Sequence, residues 1–459
     1  MEHMLKEFRV SGLLTDLYEL TMAAGYVQSG FEARASFELF VRSLPERRNY
    51  LVAAGVEQAL EFLESVRFSE EEISYLRNQP LFRNVSSEFF DYLSRFQFSG
   101  DVWAVPEGTI CFPNEPILRV TAPIVEGQIV ETSLLSIVHF QTLIASKAAR
   151  ITGAAAGRPV VEFGSRRAHG VGAAVLAGRA AFIGGCEGTS NTYAGHRFGI
   201  PIYGTQAHSW IMAHGDEGEA FRAFLEIFPA STLLVDTYDV RTAVERILAL
   251  GRKPRGVRLD SGDVLADSTW VRGRLDRAGW NDVQIFVSGD LDEERIQRLL
   301  AEGAPLDAFG VGTALSASSD APSLSVIYKL VEIERGGEVH GAAKFSEEKY
   351  TYPGRKQVFR FSGADGNFSK DIIGLDEESF ADSEPLLVPV MRQGRRLEGI
   401  QEQVLSAQAG RERFLEGRQR LPSGIRALAP AKDPFPVQHS RKLEDLFVRL
   451  RQSLISASS

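Results

Sequence analysis

Cysteine is scarce in this 459-residue chain: Cys111 and Cys186 are the two, and neither belongs to a CxxC pair. That pattern offers no zinc site and no disulfide framework. Positive charge is not in excess either. Lys+Arg number 51 against 60 Asp+Glu, a formal net charge of −9. A protein that coats nucleic acid is thereby disfavoured, although a local basic cluster can still hold an anionic substrate. No run approaches the roughly 18 apolar residues of a membrane span. The opening MEHMLKEFRVSG shows no apolar signal-peptide core, so a cytoplasmic location is expected. There is no low-complexity segment, and no internal repeat beyond an alternation of strand and helix patterns.

What is present fits a folded protein. Hydrophobic residues make up 44% and charged residues 24%, which excludes a largely disordered chain. At about 150 residues per domain, the length suggests two to three domains or one large α/β body with an accessory domain. The 42 glycines recur at the ends of apolar runs, as tight strand-to-loop turns require.

Three segments differ in texture. In residues 1–150, TDLYELTMAAGYVQSG reads as a helix ended at Gly30, RASFELFVR as a strand and GVEQALEFLESV as a helix. DVWAVPEGTICFPNEPILRVTAP then reads as a small β-layer, and ETSLLSIVHFQTLIASKAAR as a long amphipathic helix. This is an N-terminal α+β domain. Residues 151–330 carry the apolar runs RPVVEFG, AFIGG, IPIYGTQAH, STLLVDTYD, PRGVRLDSGD, VQIFVSGD and LDAFGVGT, most followed by helical patterns. In VRTAVERILALG, for example, Val240, Val244, Ile247 and Leu248 share one face. Buried strands alternating with amphipathic helices mean a parallel sheet. Seven units in a row predict an irregular (β/α)8-type barrel, with chemistry at the C-terminal ends of the strands. Residues 331–459, strand-like and basic and then polar, are expected to pack back on the N-terminal domain and complete it.

Reactive residue types gather at those strand ends. Gly310 and Gly312 in FGVGT let backbone N–H groups approach an anion, and Thr313 adds a hydroxyl. Ser288, Gly289 and Asp290 in VSGD lead into a helix, whose N-terminus favours negative charge. Such turns are also what plain tight turns look like. Asp236 and Asp239, and Asp260 and Asp263, end two other runs. They suit Mg²⁺ held with substrate phosphates, the stabilisation of a cationic sugar, or helix N-capping. Capping is expected of Asp263, and function of Asp236 and Asp260. Arg166 and Arg167 follow EFG, and Arg258 lies inside an apolar run, where it needs a paired carboxylate or a bound anion. His208, at the end of IPIYGTQAH, is a candidate acid, base or nucleophile. His139, in an amphipathic helix, is read as structural.

In this order and spacing the motifs LLTDLYELTMA, YLVAAGVEQAL, PEGTICFPNEPIL, EFGSRRAHG, GTSNTYAG, GTQAHSW, LVDTYD, GVRLDSGD, FGVGT and KFSEEKYTYPGRKQV resemble nicotinate phosphoribosyltransferases, type II enzymes akin to the nicotinamide and quinolinate ones. The resemblance spans Leu14 to about Arg360. It implies condensation of nicotinate with phosphoribosyl pyrophosphate to nicotinate mononucleotide in NAD salvage. It also implies Mg²⁺, ATP as co-substrate hydrolysed through a phosphohistidine at His208, and a homodimer with shared active sites. Carried over residue by residue, it places Phe163 and the partner-borne Tyr18 on either side of the pyridine, and Arg258 against the ring or its carboxylate. Asp236 and Asp260 would face ribose or metal, and Ser288, Gly289, Gly310 and Gly312 the 5′-phosphate. Lys344, Ser346 and Lys349 would lie on the pyrophosphate side. Neutral Ser190 and Asn191 occupy the stretch where nicotinamide-using relatives carry an aspartate, so nicotinate is the expected substrate. The alternatives are nicotinamide or quinolinate on the same fold, or a catalytically silent barrel that binds metabolites.

Overall fold

The computed structural model describes residues 10–346 and 349–458, with backbone alone at 346, 349, 457 and 458. The chain divides into two compact units. One takes the residues up to Thr142 together with those from Ser323 onward, and the other is Leu143–Pro322. No helix among the described residues is long and apolar enough to cross a membrane.

The first unit is built on a seven-stranded antiparallel sheet. Its order is Glu338–Gly341, Val326–Arg335, Arg34–Val41, Pro116–Pro123, Asp101–Ala104, Val388–Arg392, Arg395–Arg396. Strands from before and after the barrel segment thus share one sheet. Arg34–Val41 is central and buried from Ala35 to Val41. A carboxylate there needs a partner, and Glu38 has Lys356, whose Nζ lies 2.8 Å from Oε2. A four-stranded sheet (Ser383–Pro385, Lys356–Ser362, Phe368–Leu375, Val437–His439) is added from the C-terminal segment. His139 is structural: its Nε2 accepts the Leu324 N–H at 2.9 Å.

The second unit is an α/β barrel of irregular form. Six parallel strands run in the order Gly188–Thr189, Val160–Glu162, Ala308–Val311, Gln284–Val287, Gly256–Leu259, Thr232–Leu234. A parallel bridge from Thr189 to Ile202 adds a seventh segment. Tyr203, Gly204 and Thr205 beyond that bridge, and Ala230, Ser231 and Thr232 at the opposite edge, line one cavity of about 280 Å³. The sheet therefore curves its two edges around a common interior. Helices follow the strands, and five begin on a side-chain cap: Asn191, Asp216, Asp239, Asp263 and Asp292 each accept from a first-turn N–H.

Two expected strands differ. AFIGG is the end of a helix, Val171–Ile183, rather than a strand. Its face-to-face periodicity is hidden because small apolar residues occupy nearly every position. The strand in its place, Gly188–Thr189, is two residues long. IPIYGTQAH contributes only the Ile202 bridge, and His208 opens the His208–His214 helix instead of ending a strand.

Candidate active site

Register places the site. Leu234 pairs with Arg258, and Leu259 with Val287. The residues that follow these strands, Asp236, Asp260 and Ser288, therefore stand at one end of the barrel. Capping consumes Asp239 and Asp263, whose carboxylates hold the Thr242 and Ala266 N–H groups at 2.8 and 3.1 Å. Asp236 and Asp260 remain for other work. Asp236 Oδ2 accepts the Asp260 N–H at 2.8 Å and the Ser261 hydroxyl at 2.7 Å, while its buried Oδ1 has no partner. Gly289 (φ +85°) completes the contact between neighbouring turns: a Cβ there would lie 1.8 Å from the Asp260 carbonyl oxygen.

Arg258 gathers the cluster. Its side chain is 13% exposed, and every guanidinium nitrogen is engaged. Nε donates to Ser288 Oγ at 3.0 Å, Nη2 to Asp260 Oδ1 at 3.1 Å and Nη1 to Thr205 Oγ1. Ser288 in turn donates to Asp260 Oδ1. Burial alone would push the Asp260 carboxyl up. The Ser288 hydroxyl, the Arg258 charge and His208 outweigh it and hold the group below the usual carboxylate range. His208 Nδ1 lies 3.1 Å from Thr237 Oγ1, and its Nε2 lies 3.9 Å from Asp260 Oδ2. The ring is thus aimed at the ionised carboxylate.

An aromatic wall closes one side. Phe163 follows the Val160–Glu162 strand, anchored by its N–H to the Val311 carbonyl at 2.8 Å. Its ring lies 5.6 Å from that of Phe286 and 5.9 Å from the Arg258 guanidinium carbon. Gly310 makes room for both rings, since a Cβ there would meet Phe163 at 2.7 Å and Phe286 at 2.9 Å. Gly312 precedes the short Thr313–Ser316 helix, where the Leu315 and Ser316 N–H groups both donate to the Gly312 carbonyl at 3.1 Å, and Thr313 is exposed. Arg166 is exposed. Ser190, half-buried, donates its N–H to the Glu162 carbonyl at 2.9 Å, and Asn191 Nδ2 reaches Ser165 Oγ at 3.2 Å.

Thr205, Thr237 and Glu162 escaped the sequence reading. Glu162 is fully buried; its carboxylate accepts the Thr189 hydroxyl at 2.5 Å and the Gly164 N–H, and burial raises its pKa. Its position in VVEFG, a carboxylate closing an apolar run, was an available signal. The two threonine hydroxyls carry none.

Tyr18 and Lys344 belong to the other unit. Tyr18, in the first turn of the Leu17–Gln28 helix, is 46% exposed. Partial burial, then Glu131 and Glu19, raise its phenol well above the usual value. Lys344 is exposed, and its backbone exchanges hydrogen bonds with Thr351 at 3.0 and 3.1 Å. The side chains of Ser346 and Lys349 lie outside the described residues; their backbones pair in a short hairpin. Also in this unit, Arg42, Asn114, Tyr352, Lys356 and His439 line a cavity of about 190 Å³. Burial and Lys356 push the His439 imidazole down to about 4.

The donor set sets limits on a metal. No group of three or more His, Cys, Asp or Glu among the described residues could hold one. The unpartnered Asp236 Oδ1 and Asp260 Oδ2, which faces His208 Nε2 at 3.9 Å, fit Mg²⁺ held jointly with substrate oxygens and water, not a permanently resident ion.

Comparison with known proteins agrees with this architecture. Residues 144–322 match the quinolinate phosphoribosyl transferase C-terminal domain, which sets the class as an α/β-barrel phosphoribosyltransferase. Residues 13–139 match the nicotinate phosphoribosyltransferase N-terminal domain. A nicotinate phosphoribosyltransferase of Mycobacterium tuberculosis (pncB2) is 45% identical over 450 residues, 97% of this chain and 95% of the relative. That of Bacillus subtilis is 43% identical over 397 residues, 84% of this chain and 80% of the relative. The crystal structure of human nicotinic acid phosphoribosyltransferase superposes with TM-score 0.82 at 29% identity, covering 95% of this chain and 99% of that one. The chain belongs to the nicotinate phosphoribosyltransferase family.

Proposed function

We propose that the protein condenses nicotinate with phosphoribosyl pyrophosphate, releasing nicotinate mononucleotide and pyrophosphate, and couples this to ATP hydrolysis through a phosphoryl group on His208. It would act in cytoplasmic NAD salvage as a homodimer whose Tyr18 reaches the partner's site. The observation that carries the reading is the Arg258–Ser288–Asp260 cluster with His208 beside it.

The chemistry asks little of the protein beyond placement. The pyridine nitrogen already has a lone pair, so no base is required. That pair forms the bond to the sugar C1 as the C1–oxygen bond breaks and its electrons leave with pyrophosphate. Asp260, ionised at neutral pH, faces the cationic charge that builds on the sugar. Phe163 and Tyr18 would sandwich the ring, and Arg258 would meet the nicotinate carboxylate or the ring face. Neutral Ser190 and Asn191 spare that carboxylate the repulsion an aspartate would exert. The Ser288–Gly289 and Gly310–Thr313 turns would take the 5′-phosphate. Lys344, Ser346 and Lys349 would take the pyrophosphate. Mg²⁺ held by Asp236 and Asp260 would neutralise phosphate charge.

Incubation with γ-labelled ATP tests the coupling. An acid-labile phosphoryl group should appear on the wild-type chain and be absent from His208→Ala; equal labelling of both would reject the role of His208. The match of residues 144–322 to a quinolinate-enzyme domain favours quinolinate as the second reading, and CO₂ release would reveal it.

A further inference from the structure

We propose that Thr237 is a positioning residue for His208. It holds the imidazole through Nδ1, so that Nε2 is the atom that takes the phosphoryl group. The inference rests on the reading of His208 as phosphoryl acceptor and goes further, to the atom and to the residue that selects it.

Thr237 is itself well placed to orient a ring. It directly follows Asp236, whose Oδ2 is tied to the Asp260 N–H at 2.8 Å and to the Ser261 hydroxyl at 2.7 Å. The turn that bears the Thr237 hydroxyl is therefore fixed to the neighbouring strand end. That hydroxyl lies 3.1 Å from His208 Nδ1. The ring belongs to the first residue of a seven-residue helix. Without Thr237, rotation about the side chain could present either nitrogen. With Nδ1–H donating to Thr237 Oγ1, the lone pair resides on Nε2. Nε2 points toward Asp260 Oδ2, 3.9 Å away, too far for a hydrogen bond to occupy it.

The step balances. The Nε2 lone pair forms the bond to the γ-phosphorus of ATP, and the β,γ-bridging P–O bond breaks with its electrons leaving on ADP. The proton stays on Nδ1, hydrogen-bonded to Thr237, and no base is called for. Hydrolysis later returns the ring to its starting tautomer.

The test uses the full-length protein and γ-labelled ATP. Rates of labelling are measured for wild type, Thr237→Val and Thr237→Ser, and the two phosphohistidine isomers are separated after alkaline hydrolysis. Wild type should yield the Nε2 isomer alone. Thr237→Val should label about tenfold more slowly, the loss of one positioning hydrogen bond (about 1.4 kcal/mol), and should yield both isomers. Thr237→Ser, which keeps the hydroxyl, should restore rate and isomer, an outcome that loss of packing alone would not produce. Should Thr237→Val fail to fold, Thr237→Ala takes its place. A wild-type Nδ1 isomer, or a valine variant with unchanged rate and isomer, would overturn the proposal. Absence of label on His208 in the wild type would remove the parent reading and this inference with it, and is a separate result from either.

Discussion

Replacing Asp260 by Asn tests the electrostatic centre with the least change of shape. The native carboxylate accepts from Ser288 Oγ and from Arg258 Nη2 through a single oxygen, Oδ1. The Asn amide oxygen can accept the same two donors, so the cluster should keep its geometry. What is lost is the negative charge, which faces His208 at 3.9 Å and would face the sugar. Loss of one preorganised electrostatic group typically costs about 10²–10³ in kcat, or about 2.7–4 kcal/mol. The kcat should therefore fall about a hundredfold or more, with KM for nicotinate changed by less than about fivefold. The charge matters to the transition state more than to the bound ground state. Stability should also fall, because the 13%-exposed Arg258 loses its counter-charge. About 1–3 kcal/mol is expected, less than for a fully buried pair. Asp260 is held low, so the wild-type contribution to stability is present above about pH 4 and fades as pH falls through the lowered value. The assay is steady-state pyrophosphate release with a denaturant melt on the same samples. An Asp260→Asn enzyme with kcat within about threefold of wild type would refute the assignment.

Gly289→Ala should unfold at lower denaturant and lose activity. The new Cβ meets the Asp260 carbonyl at 1.8 Å, and φ of +85° adds about 1–3 kcal/mol of strain; a urea melt and a kcat/KM measurement check both. Glu19 is raised to about 7 by burial. Between the ordinary value of about 4.3 and 7, the unfolded chain is ionised and the folded chain is not. Wild-type stability should therefore fall as pH rises through that window and level off above it. Glu19→Gln, which cannot titrate, should remove this slope, worth roughly 3 kcal/mol, when melts are compared from pH 5 to 8; an unaltered slope would count against the buried-carboxyl argument. Mixing Tyr18→Ala with His208→Ala subunits should recover part of the activity if sites are shared. Activity no higher than the sum of the two separate variants would mean that each chain supplies its own site.

Much of the barrel was legible because its strands announce themselves twice, by an apolar run and by the polar residue that ends it. Asp236, Asp260, Ser288 and Gly289 all sit where those run-ends place them. The capping role of Asp263 followed from its position before a helical pattern. The Val171–Ile183 helix was missed because Ala and Gly on all sides leave no polar face to mark its period. His208 was placed at a strand end although it opens a helix, since an apolar run before a turn looks alike in either case. Thr205 and Thr237 could not be singled out, because a hydroxyl acquires its role only from the nitrogen that the fold brings to it. Gly310 shows the opposite limit. The sequence marks a glycine, and the structure shows that its missing side chain makes space for Phe163 and Phe286.

The most direct measurement offers the purified protein phosphoribosyl pyrophosphate, ATP and Mg²⁺ with equal concentrations of nicotinate, nicotinamide and quinolinate, and identifies the mononucleotides formed. Nicotinate mononucleotide should be the main product, with no CO₂ released and turnover stimulated by ATP. Preferential use of nicotinamide, CO₂ release from quinolinate, or no mononucleotide at all would contradict it.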